Sequence, residues 1–310
     1  MKIISWIDKA IDFMSIPRHQ VGMKLVRILV GIIMLYIYSV NYGQRFFLFG
    51  PEGIFPDSNL FSLFHVDSPL VFNILYHVAI LAALCFTIGW GGRIIVLVNF
   101  LFFWSWTSVS LLIGDGGDNL LRVMFPYLIF TDLLGKLDRK PGTLWKKALG
   151  ILHNFGWMAV ILQLCYVYFT AGLMKIQGGM WQDGTALYYI LQVDEFRNPL
   201  FSSIIVNHPW ISVAGSYVTI FFQIAFPFLI LYGRVKPFVI AVSIMFHLGI
   251  WVFMNLPSFS LVMIAFELPL LSDAFYHKAF GMIRYRWSQL KGKRFVLSTD
   301  KKQTVNNEVS

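Results

Sequence analysis

Lys175 closes the run Tyr168-Phe169-Thr170-Ala171-Gly172-Leu173-Met174-Lys175, and Ile176-Gln177-Gly178-Gly179-Met180-Trp181-Gln182-Asp183 follows. An amine at the end of an apolar stretch has two uses. It is either a proton-transfer base or an anchor whose stem lies along lipid while its charge reaches water. Ala171 and Gly172 let a neighbouring helix approach closely, and Tyr168, Trp181 and Asp183 are the side chains placed to support a pocket around the amine. A second polar group is Gly114-Asp115-Gly116-Gly117-Asp118-Asn119, with Arg122 one turn later. Asp118 is placed to cap a helix and, four residues ahead of Arg122, to form an ion pair with it. Asp115 and Asn119 belong to the same turn. No Gly-Lys-Ser/Thr follows, so the turn is not a phosphate loop. His247 and His77 lie inside apolar runs, where a histidine most often bonds to a neighbouring helix. Gln163 and Gln223 read as similar interhelical bonds. The sequence has no His-Glu-x-x-His, Cys-x-x-Cys or Gly-x-Ser-x-Gly, so neither a bound metal nor a serine triad is expected.

The elements that must position these residues are set by composition. Of 310 residues, 57% are hydrophobic, 17% aromatic and 13% charged, against roughly 45–50% apolar and about 25% charged in soluble domains. That balance predicts an all-α integral membrane protein, because the runs are apolar on every face and do not alternate as barrel strands do. Eight spans are read: Val21–Val40, Leu70–Trp90, Ile94–Ile113, Asn119–Leu134, Ile151–Met174, Trp210–Tyr232, Phe238–Met254 and Ser258–Leu271. They divide the chain into an interfacial amphipathic segment (1–20), a transmembrane domain (21–272) and a basic tail (273–310). Cys85 and Cys165 fall inside spans as small hydrophobes.

The net charge of +9 follows the same plan. Twenty-one of the 25 basic residues fall at the ends and in alternate loops. The other side keeps Arg45, Arg122, Lys175 and Arg197 with eight of the 16 acids. Both termini are therefore expected in the cytoplasm of a multi-pass cell-membrane protein, with the basic residues meeting lipid headgroups and not nucleic acid. Lys2–Ser15 and the segment carrying Phe280, Ile283, Trp287 and Leu290 read as helices lying on the membrane.

Gly50-Pro51-Glu52-Gly53-Ile54-Phe55-Pro56, the Gly-Gly-Asp-Asn-Leu-Leu-Arg turn, the Tyr168–Leu187 stretch and Phe246-His247 with Met254-Asn255-Leu256-Pro257-Ser258 occur in that order. Together they resemble the HTTM family, the transmembrane domain shared with vitamin K-dependent γ-carboxylases. Within it they resemble the bacterial sporulation-delaying protein B branch. The branch implies a role in producing a secreted antimicrobial peptide, together with a co-encoded maturation partner. The carboxylases imply a lysine that deprotonates a quinone cofactor in its hydroquinone form. Their lysine pair falls on Met174 and Lys175, so Lys175 alone can carry that role here. The carboxylases' large lumenal domain has no counterpart, and Asp118, Asn119 and Arg122 stand where they have a histidine. Three readings follow: a peptide-maturation factor, a quinone-dependent carboxylase or epoxidase, and a non-enzymatic scaffold or immunity-type protein.

Overall fold

The computed structural model describes residues 2–54, 62–109, 114–140 and 142–288, with side chains from residue 6 onward. Phe55, Pro56 and Asp57 of the first loop, the end of the third expected span and the chain beyond 288, including Leu290, lie outside the described residues. The elements are α1 (Lys2–Ser15), α2 (Gln20–Val40), α3 (Arg45–Phe49), α4 (Pro69–Ile88), α5 (Gly92–Val109), α6 (Gly116–Phe130) and α7 (Leu144–Ile176). After α7 come α8 (Gly179–Gln182), α9 (Ala186–Ile190), a 3-10 turn at Asp194–Phe196 and α10 (Ser202–Val206). The bundle closes with α11 (Pro209–Leu229), α12 (Lys236–Met254), α13 (Pro257–Glu267), a 3-10 turn at Leu268–Leu270 and α14 (Asp273–Ser288).

The chain is an all-α, multi-pass membrane protein, with six helices long and apolar enough to cross a bilayer among the described residues. They are α2 (in a run from Trp6 to Val40), α4, α5, α7, α11 and α12. A seventh arises only if α13 with its turn and α14, bent by 105° to one another, are taken as one span. The expectation of eight is corrected at its fourth and eighth members. α6 has 15 residues and α13 has 11, about 22 and 16 Å at 1.5 Å per residue, against a hydrocarbon core of about 30 Å.

These half-length helices are apolar because protein, and not lipid, surrounds them. Met124 and Leu128 of α6, Val262 and Phe266 of α13, and Val26 and Val30 of α2 are all fully buried. Around them α4, α7, α11 and α12 expose Leu81, Leu162, Phe221 and Met245, a lipid-facing surface.

One end of the bundle is a polar knot. The buried Arg27 guanidinium donates to the carbonyls of Phe86, Thr87 and Leu133, closing the last turns of α4 and the chain after α6. Gln20 reaches Asp132 (3.1 Å), and Arg139 pairs with Asp273 (2.8 Å). α1 lies along the first half of α7, where Asn154 donates to the carbonyls of Met14 (2.7 Å) and Ile16 (2.8 Å) while Trp6 and Phe13 stay exposed.

Candidate functional site: an apolar cavity above a buried polar cluster

At the end opposite the knot, α6, α7, α11, α12 and α13 enclose a cavity of about 720 Å³. Helical periodicity explains its walls. Gly215, Val218, Thr219 and Gln223 fall on one face of α11, and Phe246, Gly249, Ile250 and Phe253 on one face of α12. Gly172 brings α7 against α11, since a Cβ there would lie 2.6 Å from Cγ1 of Ile224. The roof is the segment between α7 and α11. Gly184 turns it at φ +71°, a left-handed conformation that suits glycine. Tyr217 donates to the Gln182 carbonyl (2.6 Å), and Ser202 donates to the Phe253 carbonyl (2.7 Å), latching the roof to α11 and α12.

Lys175 and Trp181 both line this cavity, with the lysine Nζ 5.0 Å from the indole centroid. That is a cation–π contact at the outer edge of useful range. Asp115 and Glu195 supply carboxylates to the lining, yet among the described residues neither forms an ion pair with Lys175. The cavity is an apolar chamber with one amine and two acids at its margin.

Asp115, and not Asp118, caps α6. Its Oδ1 accepts from the N–H groups of Gly117 (2.7 Å) and Asp118 (3.0 Å), while Asp118 Oδ2 accepts from the Asp115 N–H (2.9 Å). This reciprocal box turns the Asp118 carboxylate back along the chain. The expected Asp118–Arg122 ion pair is therefore absent among the described residues. Arg122 instead stacks over Trp104 of α5, 3.8 Å from the ring centroid. Asn119 and Asp183 are exposed and stay outside the cavity lining.

Tyr168 and His247 meet elsewhere, in a cluster sealed inside the bundle. The Tyr168 hydroxyl lies 2.6 Å from His247 Nε2, 2.5 Å from Ser243 Oγ and 2.5 Å from Glu267 Oε1. Ser243 donates to the same Glu267 oxygen (2.6 Å), and His247 Nε2 is 3.4 Å from it. Glu267 and Ser243 are fully buried, and His247 and Tyr168 are 1% exposed. The rings of Phe246 and Phe259, which both line the cavity, contact the His247 ring. Sequence reading missed Ser243 and Glu267. The signal for Glu267 was an acid inside the apolar run Ile264-Ala265-Phe266-Glu267-Leu268. Gln223, expected to join helices, faces the cavity with its Oε1 unpartnered. No three histidine, cysteine or acidic side chains gather to hold a metal among the described residues.

A profile of the HTTM domain matches residues 148–274, which carry Lys175, Trp181 and the whole buried cluster. The chain is 24% identical over 279 residues to sporulation-delaying protein SdpB of Bacillus subtilis (strain 168), covering 86% of this chain and 84% of SdpB. It is a membrane protein distantly related to SdpB. It is also 27% identical over 210 residues to the uncharacterized protein YitO of the same strain, covering 63% of this chain and 65% of YitO. The chain thus spans slightly less than two thirds of YitO's length. No solved structure matches the chain.

Proposed function

We propose that this chain is an HTTM-family protein of the SdpB branch that matures a secreted peptide at the outer face of the membrane. In this reading both termini are cytoplasmic, the Arg27 knot is the inner end and the cavity opens outward. The orientation is supported by the distribution of the basic residues. The observation that carries the functional reading is the placement of Lys175 on the cavity lining, beside Trp181 and without a carboxylate partner among the described residues. An anchoring lysine needs only lipid and water. A lysine on a chamber wall is within reach of whatever the chamber holds.

The volume falls in the range of small-molecule sites, about 300–1,000 Å³. It admits a few apolar side chains of an extended peptide and excludes a folded domain. Lys175 then takes a proton from the bound segment or from a co-substrate, beside walls that are mostly apolar. A second reading is favoured by the same walls, which suit the apolar body of a quinone. In that case Val218, Ile250 and Phe253 would hold it, Lys175 would accept a proton at Nζ, and the quinone would supply redox chemistry when bound.

A photo-crosslinker at Val218 tests the first reading. It is expected to capture the peptide precursor in intact cells, and the same probe at lipid-facing Leu162 is not. Impermeant labelling of intact cells is expected at Asp183→Cys and not at Lys140→Cys. Equal capture at both probe sites, or labelling at position 140, contradicts the proposal.

A further inference from the structure

At the edge of the knot, the turn between α4 and α5 and the chain after α6 enclose a second cavity of about 350 Å³. Arg27, Gly89, Gly92, Arg93, Asp132 and Trp145 are among its lining. Arg27 is 6% exposed. Its Nε gives its hydrogen to the Leu133 carbonyl, and Nη1 gives both of its hydrogens to those of Phe86 and Thr87. Among the described residues Nη2 has no hydrogen-bond partner, and no carboxylate pairs with the guanidinium. Arginine stays protonated in proteins, so the charge and the spare donors are permanent. Gly89 leaves the guanidinium uncovered. It ends α4 at φ +85°, and a Cβ there would stand 3.0 Å from Nη1.

Arg93 adds a second guanidinium. It is half-buried, donates through Nη2 to the Phe130 carbonyl (3.3 Å) and forms no ion pair among the described residues. Gly92, Arg93, Ile95 and Val96 bring the first turn of α5 to the lining. Backbone N–H groups there lack intrahelical acceptors, and a helix carries about half a positive charge at that end. One carboxylate opposes them. Asp132 is held by Gln20 Nε2 (3.1 Å) and by the N–H groups of Leu134 (3.1 Å) and Leu137 (2.8 Å), so its oxygens are already in use. Two guanidinium groups and a helix amino end outweigh that acid and the carboxyl ends of α4 and α6. The depth of the cavity follows from α4, whose 20 residues cover about 30 Å, the thickness of the hydrocarbon core. The turn after α4 therefore stands at headgroup level. Trp90, Ile94 and Trp145 are exposed around it, as side chains at a membrane interface are.

We propose that Arg27, Arg93 and the first turn of α5 form a binding site for a phosphate anion, the headgroup phosphate of an anionic membrane phospholipid. Guanidinium N–H groups and the amides of a helix start are the donors that phosphate oxygens take up. The cavity is of small-molecule size, which admits a headgroup and leaves the acyl chains in the bilayer. A choline group would bring a cation beside two arginines, so phosphatidylglycerol is favoured over phosphatidylcholine. A lipid seated here fastens the knot to the bilayer. The site is independent of what the outer cavity binds, because its test reads lipid and not peptide.

The experiment is native mass spectrometry of the full chain in detergent, titrated with phosphatidylglycerol and separately with phosphatidylcholine. The wild type is expected to hold its first phosphatidylglycerol about tenfold more tightly than phosphatidylcholine. Gly92→Asp and Gly92→Asn form a matched pair. Gly92 has φ +57° with nothing within 4 Å of an added Cβ, both side chains tolerate that conformation, and they differ in charge alone. Gly92→Asp is expected to weaken the first phosphatidylglycerol about tenfold, as is Arg93→Gln, while Gly92→Asn keeps it. Arg284→Gln, which removes one charge from an exposed position of α14, is expected to keep it too. Unchanged binding in Gly92→Asp or in Arg93→Gln overturns the proposal, as does equal affinity of the wild type for the two lipids. Equal weakening by Arg284→Gln makes the attraction a diffuse property of the basic surface and also overturns it. Displacement of the bound lipid by millimolar inorganic phosphate makes the ligand a soluble anion and overturns the lipid assignment. Should Gly92→Asp not accumulate, Arg93→Gln and Arg284→Gln decide alone.

Discussion

Two buried histidines mark the two ends of this molecule. His153, fully buried in α7, uses both ring nitrogens: Nδ1 accepts from the Asp132 N–H (2.9 Å), so Nε2 carries the hydrogen donated to the Arg18 carbonyl (2.7 Å). His247, 1% exposed in α12, uses Nε2 alone and leaves Nδ1 unpartnered. The knot around His153 spends its polar groups on backbone ends and on one another, as in Gln20–Asp132 and Arg139–Asp273, which is what a structural network does. At the cavity end His247 Nδ1, Glu267 Oε2, Gln223 Oε1 and Asp118 Oδ1 are all left over. Spare valences in a membrane interior cost stability, so they are expected where they serve chemistry or a ligand. One end holds and the other works.

The largest effect separating the ends comes from removing each ring's hydrogen bonds while keeping its bulk. His153→Phe strands the Asp132 N–H and the Arg18 carbonyl. At about 1–3 kcal/mol per stranded group, it should lose roughly 2–6 kcal/mol and much of its accumulation. His247→Phe removes only the Nε2 contacts with Tyr168 and Glu267 and should cost about 1 kcal/mol. Thermal melts of the two variants in the same detergent make the comparison, and equal losses would erase the distinction.

A smaller effect probes the turn beside the cavity. Arg122 belongs to Trp104, so a double-mutant cycle between Arg122→Gln and Trp104→Leu should show coupling of about 0.5–1 kcal/mol. The cycle between Arg122→Gln and Asp118→Asn should show none. Coupling of the second pair alone would restore the ion pair that the i, i+4 spacing suggests.

Most of the scaffold was legible in the sequence. The apolar runs predicted for the six crossing helices meet the observed ends within a few residues, except where α7 runs on to Leu144. Gly50-Pro51-Glu52-Gly53, in the described part of the first loop, forms the turn its composition suggests. Hydropathy failed at α6 and α13 because a helix buried in protein is as apolar as one in lipid, and only length separates them. At the site, Lys175, Trp181 and Asp115 were legible as candidates for a pocket, and the structure places all three on the lining of one cavity. Asp118 and Arg122 were misread because spacing allows a pair but cannot see that Asp115 offers a competing backbone donor. Glu267 was overlooked because its neighbours made the whole segment look like lipid-facing helix. The meeting of Tyr168, Ser243 and His247 with it needs tertiary structure, since up to 99 residues separate the partners.

The central claim is that Lys175 is a working amine on a chamber wall and not an anchor. Arginine keeps the long cationic stem and the stacking on Trp181 but cannot be deprotonated in proteins. The decisive measurement is peptide activity in culture supernatant, normalised to membrane-protein level, for Lys175→Arg beside Lys175→Ala. Output that collapses in both while Lys175→Arg accumulates normally is the predicted result. Undiminished output from Lys175→Arg would contradict the account and make Lys175 an interfacial anchor.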